Sequence, residues 1–297
     1  MSFADRLLAA IAVKGSPICV GIDPMYDALP DAIAGPRAKR DANDAARVID
    51  HYYKFVVEVL NLVAPHVPCV KFQSAYFEQY HGEGVDAYYS LIHEAKQLGL
   101  ITIGDAKRGD IGSTSAAYAA GHIEDFAGDD DCATPDSLTV NPMLGMDALE
   151  PFVETALANE KGLFVLVRTS NPGSKDFQDV VLEGGKTWSE HVADTLQARI
   201  VQSGATGLSS IGAVVGATQP HTMASIRRRL PQSIFLLPGY GTQGATAEMT
   251  RAAFDDKGRG AIVSASRSIL YAKGDDWRQA IEDAVLNMRS DLAAIKG

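Results

Sequence analysis

A single-domain α/β fold, the (β/α)8 or TIM barrel, is predicted by three features of the sequence. Eight short apolar runs alternate with helical stretches along the 297 residues. Strict alternation implies parallel strands joined by right-handed crossovers. No low-complexity linker divides the chain, and eight such units at this length fit a closed barrel better than a doubly wound sheet with a second domain. The charged and polar residues that are out of place in apolar strands also share one location. They fall at or just beyond strand C-terminal ends, the face that carries the active site in this architecture.

In chain order, Ser2 is the N-cap of a short leading helix, Phe3 to Val13, closed by Gly15. Pro17 to Asp23 is the first strand. A long amphipathic helix follows from about Asp44 to Leu62, with Val48, Tyr52, Phe55, Val56 and Val59 on its apolar side. Val67 to Phe72 is strand two, and a helical region interrupted around Gly82 and Gly84 leads to Leu98. Strand three runs from Leu100 to Lys107, and a helix from about Ser113 to Phe126 follows it. Leu138 to Val140 is strand four, with Asp147 capping the next helix. Leu163 to Val167 is strand five, followed by a helix at about Trp188 to Val201. Ile211 to Val215, Ile234 to Leu237 and Ala261 to Val263 complete the eight strands, and a helix from about Asp276 to Ala293 closes the chain. Residues 1–297 are thus expected to form one barrel domain between a short N-terminal helix and a C-terminal closing helix.

Composition narrows the partners. The chain is 46% hydrophobic and 22% charged with a formal net charge of -10, which disfavours nucleic acid or an anionic membrane as a partner. The basic run Arg227-Arg228-Arg229 ends a helix, where cations suit the dipole. No apolar run reaches the roughly 20 residues needed to span a bilayer, and no signal-peptide pattern is present, so the cytoplasm is the expected location. Cys19, Cys69 and Cys132 lack paired spacing and read as free thiols. The scattered histidines offer no metal site, and Asp129-Asp130-Asp131 reads as a solvated loop without the remaining ligands of a calcium site.

The chemistry gathers on neighbouring strands. Alternation puts Asp105 and Lys107 on one face of strand three, and Asp110 falls on the loop that follows. Strands one to three are neighbours in a barrel, so Asp23, Lys71, Asp105 and Lys107 should meet at one mouth, with alternating signs that sustain the charge. Barrel cores are normally filled by branched apolar side chains, which makes a purely structural ion-pair network the weaker reading. Loops seven and eight offer an anion site. Gly239, Gly241 and Gly244 let the backbone approach a ligand, Gln243 offers an amide, and Ser266 and Arg267 add donors. The string Gly239-x-Gly241-x-x-Gly244 matches a dinucleotide fingerprint, but it follows the seventh strand and lacks the acidic partner about 20 residues on. A phosphate cradle is the better reading.

The run Asp105-Ala-Lys107-Arg-Gly-Asp110-Ile-Gly-Ser-Thr114 resembles the signature of the orotidine 5′-phosphate decarboxylase family, in its longer bacterial branch (type 2). The resemblance continues through Gly21-Ile-Asp23-Pro, Val70-Lys71-Phe-Gln, Val140-Asn-Pro142, Thr169-Ser170-Asn-Pro-Gly173, Val215-Gly-Ala-Thr-Gln219, Pro238-Gly-Tyr-Gly-Thr-Gln243 and Ser264-Ala-Ser-Arg267. It implies removal of CO2 from C6 of orotidine 5′-monophosphate to give UMP, the last step of de novo pyrimidine nucleotide synthesis, with no metal or organic cofactor. Lys107 would stabilise and protonate the C6 carbanion, and Asp105 would sit against the departing carboxylate. Lys71 and Asp23 would complete the array and hold the ribose hydroxyls, Ser170 would read the pyrimidine amide, and Gln243 and Arg267 would grip the phosphate. The resemblance also implies a homodimer in which Asp110 and Thr114 reach the neighbouring subunit's site, and loops after strands five and seven that close over the substrate.

Three alternatives stand beside this one, of which a Schiff-base aldolase is the weakest, because Lys107 flanked by Asp105 and Asp110 should stay protonated whereas such a nucleophile must be neutral. Relatives on the same barrel that decarboxylate 3-keto-gulonate 6-phosphate, or condense formaldehyde with ribulose 5-phosphate, share the Asp-x-Lys-x-x-Asp run but use Mg2+ and a glutamate at the end of strand two. Here Lys71 stands in that place and would repel the metal. A non-catalytic nucleotide sensor would need Gln243 and Arg267 but not four charges at the mouth.

Overall fold

The computed structural model describes residues 1–125, 133–200, 204–241 and 244–293. Eight parallel strands close into a barrel in sequence order: β1 (Ile18–Ile22), β2 (Cys69–Gln73), β3 (Ile101–Arg108), β4 (Ser137–Val140), β5 (Gly162–Arg168), β6 (Ser209–Val215), β7 (Ser233–Leu237) and β8 (Ala261–Ala265). β1 pairs with both β2 and β8, which completes the ring. The longer helices are α1 (Phe3–Lys14), α2 (Ala45–Val63), α3 (His81–Gln97), α4 (Gly112–Ile123), α5 (Met146–Ala158), α6 (Trp188–Gln197), α7 (Pro220–Arg229) and α8 (Trp277–Ala293). α2 to α7 are the crossovers between successive strands from β1 to β7, and a short turn of helix at Ala247–Thr250 serves between β7 and β8.

Strand alternation divides the apolar residues into two clusters. Val20, Val70, Phe72, Leu138, Val165 and Val263 point outward onto the helices. Cys19, Cys69, Ile103, Phe164, Val214, Ile234, Leu236 and Ile262 point into the lumen, where Phe3, Ala4 and Leu7 of α1 plug the N-terminal end. The leading helix therefore seals the barrel floor. Ser2 caps it by accepting from Asp5 N, and Gly15 ends it at φ 65°, a left-handed turn glycine takes without strain. Asp44 caps α2 by accepting from Arg47 N, and the apolar stripe read from the sequence is buried.

Several boundaries differ from the sequence reading. The helical break before β3 lies at Gln79–Tyr80, and α3 runs through Gly82 and Gly84. Gly84 is there for space: a Cβ on it would lie 1.9 Å from the Phe77 carbonyl oxygen. Asp147 sits in the first turn of α5 while Gly145 is the N-cap, so the carboxylate meets the helix dipole without capping it. Phe126, Asp129, Asp130, Asp131, Cys132 and Val201 lie outside the described residues. Asp136, at the end of the acidic loop, is buried. Its carboxylate accepts from Thr102 N and Oγ1 at 2.9 Å each and from Arg6 at 3.0 Å, tying the start of β4 to β3 and α1.

The basic run does more than complement a helix dipole. The Arg227 guanidinium donates to the carbonyls of Ala253, Leu230, Ser233 and Gly260 at 2.7 to 2.9 Å and lies 3.6 Å from the centroid of the Phe235 ring. Arg229 pairs with Asp194 at 2.7 Å, and Arg228 is exposed. Arg227→Ala would take a donor from each of four carbonyls, two of which, on Leu230 and Gly260, also accept from Ser233 N and Phe235 N. We expect a loss of about 3 kcal/mol, read in a thermal melt as a Tm lower by about 5 °C. An unchanged Tm would show that water replaces the guanidinium at little cost.

Candidate active site

The residues at the strand ends converge on one cavity of about 400 Å3 at the C-terminal mouth of the barrel. Asp23, Lys71, Asp105, Lys107, Ser170, Gly239, Ser266 and Arg267, all singled out in the sequence, line it. At its centre is the Asp105 carboxylate, which is 7% exposed. Oδ2 accepts from Lys71 Nζ at 2.7 Å and from Gln73 Nε2 at 3.1 Å. Oδ1 accepts from Lys107 Nζ at 2.6 Å and from Thr139 Oγ1 at 2.9 Å. Four donors thus converge on one carboxylate. Such convergence offsets the cost of burying the charge, which an unpaired carboxylate could not meet.

The electrostatics follow from that geometry. Burial alone would raise the Asp105 pKa, but Lys71 and Lys107 outweigh it and hold the carboxyl well below its ordinary range. Burial also works against the Lys71 ammonium, yet Asp105 and Asp23 raise its pKa above the usual lysine value. Lys71 is therefore a fixed cation at neutral pH. Asp23 Oδ1 stands 3.9 Å from Lys71 Nζ and is buried without a hydrogen-bond partner among the described residues. The Asp23 carboxylate as a whole lines the cavity, where it suits a donor on a bound ligand.

Local sequence explains how each group arrives. Asp105 and Lys71 occupy inward-facing positions of β3 and β2, where Gln73 pairs in register with Asp105. Ser170 rides on the loop after β5. A Cβ on Gly216 would lie 3.0 Å from the Ser170 backbone, so glycine there admits the loop over the barrel. Arg168 holds that loop by donating from Nε and Nη2 to the Asp179 carboxylate at 2.8 and 2.9 Å. Gly239, Gly241 and Gly244 have φ of 107°, 72° and 85°, so this turn does require glycine. Gly239 lines the cavity, whereas Gly241 and Gly244 shape the turn behind it. Arg267 is exposed at the rim.

The sequence reading is corrected in one respect and extended in two. Simple alternation does not carry Lys107 to Asp105. Lys107 has φ 50°, and the β3–β4 register shifts between Gly104 and Arg108. Asp110 and Thr114 are not among the residues lining this chain's own cavity. They lie at the entrance to α4, beside the exposed Ile111. Gln243 lies outside the described residues. Gln73 and Thr139, each with a hydrogen bond to Asp105, were missed. The inward parity of Gln73, two residues after Lys71 on β2, would have revealed it. Thr139 shares a four-residue strand with one other hydroxyl, Ser137, and only the pairing of β3 with β4 gives it meaning. Leu166, Val214 and Leu236 supply an apolar wall.

A model of the orotidine 5′-phosphate decarboxylase / HUMPS family matches residues 16–284. The chain belongs to that family. An orotidine 5′-phosphate decarboxylase of Rhodopirellula baltica is 40% identical over 303 residues, covering 98% of this chain and 99% of the relative. One from Deinococcus radiodurans is 37% identical, covering 100% of this chain and 98% of the relative. The structure of Leishmania donovani OMP decarboxylase superimposes with a TM-score of 0.73 at 27% identity, covering 100% of this chain and 99% of that one. Lys71 stands third of the five residues of β2, with its ammonium on Asp105.

Proposed function

We propose that the chain is a carboxy-lyase, an orotidine 5′-phosphate decarboxylase, converting orotidine 5′-monophosphate to UMP and CO2. The observation that carries the reading is the Asp105 carboxylate held between two ammonium groups, Lys71 at 2.7 Å and Lys107 at 2.6 Å, in a cavity with an apolar wall. Losing CO2 from C6 leaves a lone pair in the plane of the pyrimidine ring, where the π-system cannot delocalise it. A cation fixed beside C6 stabilises that charge as it forms, and the same group then supplies the proton. Lys107 takes this role, as the more exposed of the two lysines and the one at the cavity's open side. Asp105 faces the departing carboxylate, whose repulsion is relieved as neutral CO2 forms and leaves toward Leu166, Val214 and Leu236.

The remote groups orient the substrate. The Asp23 carboxylate and Lys71 hold the ribose hydroxyls, and Ser170 reads the pyrimidine amide. Arg267, Gln243, Ser266 and the turn of Gly239, Gly241 and Gly244 grip the phosphate, whose binding energy organises the reacting end. The loops after β5 and β7 close over it to exclude water. No metal is needed in this scheme, because Lys71 already supplies positive charge where the Mg2+-dependent relatives carry a glutamate.

The working unit is a cytoplasmic homodimer, and the whole chain acts as one catalytic domain. Ile111, Tyr118, Met143 and Leu144 are large apolar side chains with 61%, 40%, 62% and 54% exposure. They border the β3 and β4 exits, which Asn141 N joins to the Arg108 carbonyl at 2.7 Å. A second copy covering them would bring its Asp110 and Thr114 to this chain's mouth. Among the described residues no helix is long and apolar enough to cross a membrane, and Cys19 and Cys69 are free thiols.

The deciding experiment follows the ultraviolet absorbance of orotidine 5′-monophosphate with purified protein in EDTA. Loss of the orotate band with appearance of UMP is the expected result. A folded protein that binds UMP without turnover would point to a sensor. Activity on sugar phosphates that EDTA abolishes would point to the Mg2+-dependent branch.

A further inference from the structure

Lys107 holds a backbone conformation that non-glycine residues seldom adopt. Its φ is 50°, and β3 carries extra residues here: Gly104 pairs with Leu138 of β4, but Arg108 pairs with Val140. The left-handed region costs about 1 kcal/mol or more for an ordinary residue and persists only where neighbours over-determine it. The neighbours are identifiable. The peptide group joining Ala106 to Lys107 is held at both ends. Its N–H, on Lys107, donates to Thr139 Oγ1 at 3.0 Å. Its carbonyl, on Ala106, accepts from Arg108 Nη1 at 3.1 Å.

Arg108 is itself clamped. Nε donates to His122 Nε2 at 3.1 Å, and Nη2 pairs with the Glu78 carboxylate. The guanidinium lies 5.7 Å from the centroid of the Tyr118 ring. His122 can accept at Nε2 only with its proton on Nδ1, where the Tyr89 hydroxyl lies 3.3 Å away. Burial, reinforced by Arg108, pushes the imidazole down to about 4, so it is a neutral acceptor in neutral solution. Rotating the Ala106–Lys107 peptide out of its plane would break the bonds at both ends. It would also change φ of Lys107 and swing the side chain off Asp105.

We propose that Arg108 is a positioning residue for Lys107: fastened by Glu78 and His122, it locks the peptide that aims the ammonium at the reacting carbon. The proposal rests on the reading of Lys107 as proton donor. It goes beyond that reading by assigning to the reaction a side chain that does not line the cavity. A plain ion pair that merely ties the helices to β3 would contribute to stability alone.

Full-length Arg108→Met, Glu78→Gln, Lys107→Ala and the double variant Arg108→Met/Lys107→Ala separate these readings. An inactive wild-type protein would refute the assigned reaction itself, before any variant is compared. With an active wild type, Arg108→Met should lose about 100-fold in kcat, with KM and UMP affinity within about twofold, as for a small misplacement of a reacting group. Glu78→Gln should lose about tenfold in kcat by loosening the same clamp. Arg108→Lys should not restore activity, because one ammonium cannot serve Ala106, His122 and Glu78 in that planar arrangement. The double variant should be no slower than Lys107→Ala, since Arg108 acts through Lys107. A lowered Tm with kcat unchanged in Arg108→Met overturns the proposal. If that variant does not fold, an unchanged kcat in folded Glu78→Gln overturns it as well.

Discussion

Lys107→Ala should reduce decarboxylation by about 10^4-fold or more while UMP still binds. The size follows from the loss of the two contributions proposed for Lys107, electrostatic stabilisation of the carbanion and proton donation to it. The retained binding follows from the geometry. Asp105 keeps three donors, Lys71, Gln73 and Thr139, when the fourth is removed. Its charge therefore stays compensated and the cavity keeps its shape, unlike the case in which truncation strands a buried charge. Arg267 at the rim, the glycine turn and Asp23 are untouched, so the groups proposed to hold the phosphate and the ribose stay in place. Turnover and equilibrium UMP binding, measured on one preparation, check both halves. Near-normal turnover would remove Lys107 from its role. Loss of UMP binding together with turnover would make it a binding residue.

The second large effect is a gain. Lys107→Ala and Asp110→Ala proteins, each inactive alone, should recover activity when mixed under conditions that exchange subunits. In a dimer with shared sites, the mixed species has one site carrying both defects and one carrying neither. Random reassortment makes half of the dimers mixed, so activity should approach about a quarter of wild type. The placement of Asp110 motivates the experiment, since it is not among the residues lining this chain's own cavity but stands beside the exposed Ile111. Verified exchange without recovery would confine each site to one chain.

Much of this molecule is legible in its sequence because the informative patterns are local. Short apolar runs and helical spacing mark eight strands and their crossovers, and the cap residues Ser2 and Asp44 mark helix starts. In a closed parallel barrel the order of strands in the chain is their order in space. Asp23, Lys71, Asp105 and Lys107 could therefore be brought to one mouth without coordinates. The glycines after β7 were readable for a similar reason, since positive φ is a property of one residue and its neighbours.

Only the tertiary structure decided the rest. Thr139 reaches Asp105 across 34 positions of chain, and no periodicity records which residue of β4 faces which residue of β3. The same register shift sets Lys107 in a left-handed conformation, and three separate segments supply Glu78, Arg108 and His122 to hold it. The Gly84 helix continues where its sequence suggested a break, because the glycine admits a carbonyl from the preceding turn. Asp136 and Arg227 tie elements far apart along the chain, which no local pattern in the sequence marks. Sequence by itself determined which elements form, their order around the barrel and which charged side chains stand at their ends, because these depend on neighbours along the chain. Tertiary structure decided register, backbone strain and the partners of each charge, because these depend on groups that meet only once the barrel has closed.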